Sequence, residues 1–187
     1  MGAPIRIDGF EAVFSEADDP WQTWTRRDEV VKRRAILRAC GRVRGRTLEL
    51  ACGNGSNTRA LARSSLRLRA LDGAPSAVAL TRAAVPSGRV SVELAALPND
   101  APREAFDLIV IAELLYYLRP GEIVRLGERL RLAPGGRLVL AHHHVDFPDT
   151  STRPATVHSR LLDAMGLEGE PVQRTRTARW RVEAFGG

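Results

Sequence analysis

Thr47-Leu-Glu-Leu-Ala-Cys-Gly-Asn-Gly55 reads as a short apolar strand running into a glycine-rich turn. Glycine lets a backbone pass close to a ligand and adopt conformations closed to other residues. Ser56 or Asn57 can cap a helix that follows to about Arg63, so the turn joins a strand to a helix. In a doubly wound sheet, ligands sit beyond the carboxyl ends of the strands, near the point where strand order reverses. The first strand-to-helix turn occupies that place. Asp72 stands 17 residues after Gly55 at the end of the next apolar segment, a spacing at which an acid can accept hydrogen bonds from ribose hydroxyls. Asp72-Gly73 is equally an ordinary turn pair.

Outward from this turn, strands and helices alternate. Leu66–Leu71 is a second strand, and Pro75, well suited to a first helical turn, opens a helix to about Val85. Val90–Leu94 and Phe106–Ala112 are the third and fourth strands; the fourth is an almost unbroken apolar run, as expected when both faces are covered. Residues Gly121–Leu132 are expected as helix, Pro134-Gly135-Gly136 as a turn and Arg137–Ala141 as a fifth strand. After a helix near Ala155–Met165 comes a polar–apolar alternation. It places Ala178, Trp180, Val182 and Ala184 on one side and Arg179, Arg181 and Glu183 on the other, which suggests an antiparallel hairpin at a sheet edge. The fold class is therefore α/β, a doubly wound, mostly parallel seven-stranded sheet with a C-terminal hairpin, in a single domain spanning residues 1–187. Residues 46–187 form its core, and residues 1–45, with a helix from Asp28 to Cys40, are either a packing extension or a lid over the ligand.

Composition narrows the class. The chain of 187 residues is 44% apolar and 27% charged, as in ordinary globular proteins. No apolar stretch approaches the roughly 20 residues needed to cross a bilayer. The start, Met1-Gly-Ala-Pro-Ile-Arg-Ile-Asp8, lacks the apolar core of a secretory signal, so a cytoplasmic location is expected. The net charge of +6 comes almost entirely from arginines, Lys32 being the single lysine. These arginines are interspersed with acids rather than gathered into a stripe with aromatics, which argues against nucleic acid as the partner. Cys40 and Cys52 suggest neither a disulfide framework nor a cysteine metal site.

The turn departs from the dinucleotide fingerprint, because Thr58 stands where Gly-x-Gly-x-x-Gly requires a third glycine. Glu49 precedes the turn, where an acid repels a pyrophosphate and attracts a cationic ligand. Leu48-Glu-Leu-Ala-Cys-Gly-Asn-Gly55 resembles the first motif of class I S-adenosylmethionine-dependent methyltransferases, and Leu71-Asp-Gly-Ala-Pro-Ser-Ala-Val78 resembles their second-strand motif. Phe106-Asp-Leu-Ile-Val110, Leu132-Ala-Pro-Gly-Gly-Arg-Leu-Val-Leu140 and the final hairpin complete the likeness, over roughly residues 45–187. Three further features, Asp19-Pro-Trp21, Ala112-Glu-Leu-Leu-Tyr-Tyr-Leu118 and Val157-His158, are similar to the nodulation-type (NodS-like) N-methyltransferases, which methylate an amine on an aminosugar oligomer. The resemblance implies a Rossmann-like sheet with S-adenosyl-L-methionine as cofactor. It places the cofactor's amino-acid part near Glu49, Ala51, Gly53 and Gly55, its ribose at Asp72 with Gly73 alongside, and its adenine near Ala96 and Leu97. Glu113 and Leu114 would border the methionine side.

Methyl transfer from a sulfonium is an in-line displacement, aided mainly by alignment. An amine nucleophile must be neutral, so a weak base helps, whereas oxygen needs stronger activation. Glu113, Tyr116 and Tyr117 follow the fourth strand, and His142, His143 and His144 the fifth, where both groups emerge on the ligand side. Neighbouring strand residues point oppositely, so His142 and His144 share a face and are the histidine candidates for a base or substrate contact. With Glu113 and, by analogy, Tyr117 they make up the expected catalytic set. His142 and His144 with nearby Asp146 could also ligate a metal, but too few further ligands are assignable and none is expected. The expected activity is methylation of a small-molecule amine. An O-methyltransferase with a histidine base and a catalytically silent cofactor-binding module are the alternatives, and monomer and homodimer both stay open.

Overall fold

The structure, a computed structural model, describes residues 5–42, 45–144 and 150–186. Asp146 lies outside the described residues. Seven strands, β1 (Arg46–Leu50), β2 (Arg67–Asp72), β3 (Val90–Leu94), β4 (Ala105–Ala112), β5 (Arg131–His143), β6 (Gln173–Arg176) and β7 (Trp180–Gly186), form one sheet in the order β3-β2-β1-β4-β5-β7-β6. Strands β1 to β5 run parallel, while β7 runs antiparallel to both β5 and β6, so the C-terminal hairpin closes one edge. Strand order reverses between β1 and β4, which puts the ligand crevice at their carboxyl ends.

The strands' period of two sorts their apolar residues between two layers. Leu48, Leu50, Ile109, Ile111, Leu138 and Leu140 face a core shared with α5 (Pro120–Arg129) and α6 (Val157–Met165). Leu108, Val110, Val139, Val182 and Trp180 face the other way, onto α2 (Arg27–Cys40) and α3 (Ser56–Leu61), with α4 (Pro75–Ala84) alongside on a smaller cluster. Each fully buried leucine or isoleucine contributes about 1.5–3 kcal/mol relative to exposure. Among the described residues no helix is long and apolar enough to cross a membrane.

Three stretches differ from expectation. Helix α3 begins at Ser56 itself, with Gly55 at its N-cap and no side-chain cap, and ends at Leu61, so neither Ser56 nor Asn57 caps it. The helix expected to reach Leu132 stops at Arg129, because Leu130 turns extended and Arg131 and Leu132 already pair with Ala105 and Phe106. The expected Pro134–Gly136 turn is an irregular passage inside β5, with pairing resumed at Arg137 against Leu108. A side chain at Gly136 would meet the carbonyls of Ala133 and Phe106 at 2.7 and 2.9 Å. In the hairpin, Trp180, Val182 and Ala184 share a buried face as the alternation predicts, whereas Ala178 lies exposed in the turn between β6 and β7. Glu183, on the opposite side, is also buried, since α6 covers it.

Glu183 anchors a chain of polar groups under α6. His158 Nδ1 lies 2.6 Å from Glu183 Oε2, His142 Nδ1 lies 2.6 Å from His158 Nε2, and Arg181 Nε donates to His142 Nε2 at 3.2 Å. Arg174 Nε donates to the other Glu183 oxygen at 2.7 Å. A carboxylate only accepts, so His158 carries its proton on Nδ1 and receives on Nε2. His142 then donates from Nδ1 and receives Arg181 on Nε2. Both rings are neutral, and burial drives the His142 pKa down to about 2 and lowers that of His158, with Glu183 opposing the shift at His158.

Helix α5 packs on α6 at Gly127, where an added Cβ would come within 2.6 Å of Ala164 Cβ and 3.1 Å of the Leu161 carbonyl. Gly127→Val should lower the unfolding free energy by about 1–3 kcal/mol through overpacking, as measured by urea denaturation. Gly88→Val, at a site with nothing within 4 Å, should change it by less than about 0.5 kcal/mol. The histidine chain gives a pH signature. A histidine whose folded pKa is depressed adds stability above its unfolded pKa of about 6.5 and loses it as pH falls below that value. Buried Glu49, pushed up to about 8, works in the opposite direction, so the informative quantity is the difference between wild type and His158→Gln. That difference should favour the wild type at pH 7.5 and shrink by about 1.4 kcal/mol per unit below pH 6.5; a constant difference down to pH 5 would contradict the neutral-histidine arrangement.

Candidate active site

The turn after β1 is built from residues in the left-handed region: Ala51 at φ 57°, Gly53 at 57° and Gly55 at 82°. Ala51 carries a Cβ there, at a cost of about 1–2 kcal/mol. Gly55 has no alternative, because a Cβ would press on Thr81 backbone and side chain at 3.1–3.2 Å. Cys52 N–H donates to the Leu71 carbonyl at 3.0 Å, carrying the β1–β2 ladder past the strand end. The buried Asp72 carboxylate accepts the Gly53 N–H at 2.9 Å and the Ala74 N–H at 3.0 Å, binding the two turns together. Thr81 Oγ1 donates to the Gly53 carbonyl at 2.7 Å. Burial raises the Asp72 pKa, and these amides oppose the rise.

Glu49 lies under the turn and is 2% exposed. Burial, with the Asp72 charge nearby, pushes it up to about 8, and its Oε2 has no hydrogen-bond partner among the described residues. An unpartnered carboxyl oxygen in this position matches a cationic ligand group, which would supply the missing donor and favour the ionised form.

The N-terminal segment crosses this crevice. Asn54 donates to Asp19 Oδ1 at 2.9 Å and to the Asp18 carbonyl at 3.2 Å, and accepts from Thr23 Oγ1 at 3.0 Å. Asp19 also accepts the Thr23 and Trp24 amides at 2.6 and 3.1 Å, so the Asp19-Pro-Trp21 stretch is pinned to the glycine turn. Helix α1 (Ile7–Glu16) lies across the strand ends: Glu11 accepts the Ser76 amide and hydroxyl at 2.9 and 2.6 Å. Phe14 sits against Gly53, and Ile7 sits against Gly73. Phe10 meets Tyr117 edge-on at 4.8 Å, and Phe14 meets Trp21 at 5.3 Å.

A charged cluster fills the carboxyl ends of β4 and β5. Glu113, held at φ 56°, accepts Lys32 Nζ on Oε1 at 2.5 Å and the Tyr116 hydroxyl on Oε2 at 2.5 Å. The His143 backbone N–H reaches Oε2 at 3.2 Å and His143 Nδ1 lies 3.0 Å from Oε1. Lys32 also donates to Glu29 at 3.0 Å, and His143 Nε2 stands 3.7 Å from Glu29 Oε1. Burial alone would raise the Glu113 pKa, but the Lys32 ammonium and the His143 contact hold it well below the usual carboxylate range. Burial raises Tyr116 well above the usual phenol value, with Glu113 adding to the rise.

The structure thus brings Glu49, Ala51, Gly53, Gly55, Asp72 and Gly73 together at the carboxyl ends of β1 and β2 and sets Glu113, Leu114 and Tyr117 directly after β4, the neighbour of β1. Ala96 and Leu97 follow β3 at its rim, where the Ala96 N–H already donates to Asp100 Oδ2 at 2.8 Å. His142 and His144 do share a face, but it is the α6 side, where His142 is consumed by His158 and Arg181. His143 is the member of the run that meets Glu113. Glu29 and Lys32 carry no expected role in the sequence reading, and His143 enters it only as the member of the histidine run that faces away from His142 and His144. The one available signal was a charged pair, Glu29 and Lys32, on the buried stripe that also holds Ala35, Ile36 and Ala39.

Known proteins resemble this chain in sequence and fold. The family model for nodulation protein S (NodS) matches residues 13–133. Nodulation protein S of Rhizobium tropici is 37% identical over 132 residues, covering 66% of this chain and 54% of that protein. The Sinorhizobium fredii counterpart is 32% identical over 130 residues, covering 66% and 60%. The match thus spans little more than half the length of these curated relatives. The N-methyltransferase NodS of Bradyrhizobium japonicum WM9, solved in complex with S-adenosyl-L-homocysteine, superposes with a TM-score of 0.75 at 25% identity, covering 96% of this chain and 97% of that one. With its seven-stranded Rossmann-like sheet and a family match over most of its length, the chain belongs to the nodulation protein S family.

Proposed function

We propose that the chain is an S-adenosylmethionine-dependent N-methyltransferase acting on a small amine, with an amino group on a sugar as the leading candidate. The observation that carries this reading is the buried cluster at the ends of β4 and β5, in which two carboxylates, Glu29 and Glu113, face one ammonium, Lys32. With a neutral imidazole its formal charge is −1, which suits an incoming ammonium. Tyr117, Phe10 and Trp21 add aromatic faces that attract cations.

On this reading Glu49 holds the cofactor's ammonium, Ala51, Gly53 and Gly55 let the turn approach its amino-acid part, and Asp72 and Gly73 meet the ribose. Each Asp72 oxygen accepts one amide and keeps capacity for a hydroxyl. Ala96 and Leu97 border the adenine, and Leu114 lines the methionine side. Bound S-adenosylmethionine supplies an electrophilic methyl group and leaves as a neutral thioether. Glu113 acts as an anchor for the cluster, Tyr117 as part of the acceptor wall, and His142 and His144 as support for the edge of β5. The cytoplasm fits a reaction on a small metabolite.

Two measurements test this. With methyl-labelled cofactor and a panel of matched amino and hydroxyl sugars, label should appear on nitrogen; label on oxygen alone would overturn the amine reading. Calorimetry in buffers of different ionisation enthalpy should show close to one proton released per cofactor bound at pH 7, as Glu49 ionises against the ligand ammonium. Glu49→Gln should bind at least tenfold more weakly and release none, and a wild type that releases no proton would remove Glu49 from the cofactor site.

A further inference from the structure

We propose that the amino ends of β1, β2 and β3 form a second binding site, for a small molecule carrying two or more phosphate groups. Arg46 and Arg67 are direct cross-strand partners in the parallel β1–β2 pair. Arg89, one residue before β3, continues the row, because Leu68 pairs with Val90 and its N–H donates to the Arg89 carbonyl at 2.9 Å. These arginines stand 21 and 22 positions apart in the chain, one strand–helix unit each time, so the fold gathers what the sequence scatters. Adjacent strands lie about 4.8 Å apart, and like charges directly opposite one another destabilise a sheet. Among the described residues no carboxylate forms an ion pair with any of these three guanidinium groups. Asp107, on the β4 side of Arg46, accepts the Arg46 backbone N–H at 2.6 Å instead. Arg69, two residues beyond Arg67 and on the same face, is neutralised by Glu93 at 2.7 Å and Glu104 at 2.6 Å.

The row lies in a cleft rather than on a covered face. Parallel strands are usually joined by a helix that packs on the sheet. The connection from β3 to β4, residues 95–104, contains none; it crosses as a loop, and its Ala95 and Ala101 join the core beside α5. The amino-end corner of that face is left open. A cleft of about 420 Å³ occupies it, and every charged residue lining it is an arginine: Arg46, Arg67, Arg69 and Arg89. Phe106 and the exposed Leu66 add an apolar wall.

Size and charge select the occupant. A cleft of this volume suits a small ligand. Each guanidinium is a planar fork that binds phosphate oxygens through two parallel N–H bonds. Three forks side by side hold more donors than a single carboxylate can accept, whereas two or three linked phosphates meet them all and relieve the repulsion within the row. The site is separate from the crevice. Strand β1 carries Arg46 at one end and Leu50 at the other, about 13 Å apart at the rise of a strand. A ligand at the arginines therefore binds alongside S-adenosylmethionine rather than in its place.

The test is calorimetry of the full chain with tripolyphosphate at about 0.15 M salt, where exposed charges are largely screened. Binding should be one to one with a micromolar Kd, and orthophosphate should bind at least about tenfold more weakly. Arg46→Ala, Arg67→Ala and Arg89→Ala should each weaken tripolyphosphate by at least about tenfold, since each removes charge-assisted hydrogen bonds. Arg160→Ala, which takes the same charge from an exposed position on α6, should change Kd by less than about twofold. Saturating S-adenosylmethionine should leave the tripolyphosphate Kd within about threefold. No binding, an equal loss in Arg160→Ala, or displacement by S-adenosylmethionine would overturn the proposal. Equal affinity for orthophosphate would overturn the requirement for linked phosphates. Tighter binding, per phosphate, of a single-stranded oligonucleotide would assign the row to nucleic acid and overturn the small-molecule reading. If one arginine variant fails to fold, the other two decide.

Discussion

The Asp72 carboxylate, hydrogen-bonded to the Gly53 and Ala74 amides, is the joint on which the crevice depends. It ties the turn after β1 to the turn after β2, and both lie at the strand ends where a doubly wound sheet binds its ligand. Without it two amides in a partly buried region lose their acceptor, a loss of about 1–3 kcal/mol for each donor left dry. Geometry passes outward from that joint. Thr81 fixes the Gly53 carbonyl, Asn54 holds Asp19 and Thr23, and Phe14 rests on Gly53. The N-terminal segment therefore takes its place from the turn together with the small apolar cluster that Phe10 and Phe14 form with Ala74, Ala77 and Leu80.

The second constraint lies in α2. Its buried stripe contains Glu29 and Lys32 beside Ala35, Ile36, Ala39 and Cys40. Desolvating such charges costs more than their attraction returns unless geometry and further hydrogen bonds are good, and apolar residues of like size commonly pack as well. Stability alone does not account for the pair. Glu113 likewise holds a φ of 56°, a conformation that costs a residue with a side chain. Strained backbone and buried charge coincide at the ends of β4 and β5, next to the point where strand order reverses. That coincidence is the structural ground of the proposed acceptor site.

What the sequence displayed, and what it hid, follows from range. Period-two burial and the glycine turn are local, so β1, β2, β3, β4 and the second arm of the hairpin were legible to within a residue or two, as was the start of α4 at Pro75. The end of α5 was not, because its apolar periodicity continues through Leu130 and Leu132 while pairing with Ala105 and Phe106 ends the helix at Arg129. The parity rule rightly put His142 and His144 on one face but could not say which layer covers it. That depended on His158, 16 positions away, and on Glu183, 25 beyond that. The contact between Lys32 and Glu113 spans 81 positions, and no local pattern announces it.

The charge of the cluster also bears on which atom is methylated. A hydroxyl becomes a good nucleophile by losing a proton and building negative charge on oxygen. Beside Glu29 and Glu113, offset by Lys32 alone, that charge would meet a formal surplus of one negative charge at short range, in a site largely closed to water. An ammonium meets the same surplus as attraction, and its deprotonation leaves a neutral nitrogen that the surplus does not oppose. The proton that leaves is the group the cluster can best accommodate. On the proposed amine reading, a cage with one surplus negative charge is thus matched to an incoming ammonium and mismatched to the negative charge that an oxygen nucleophile would have to build.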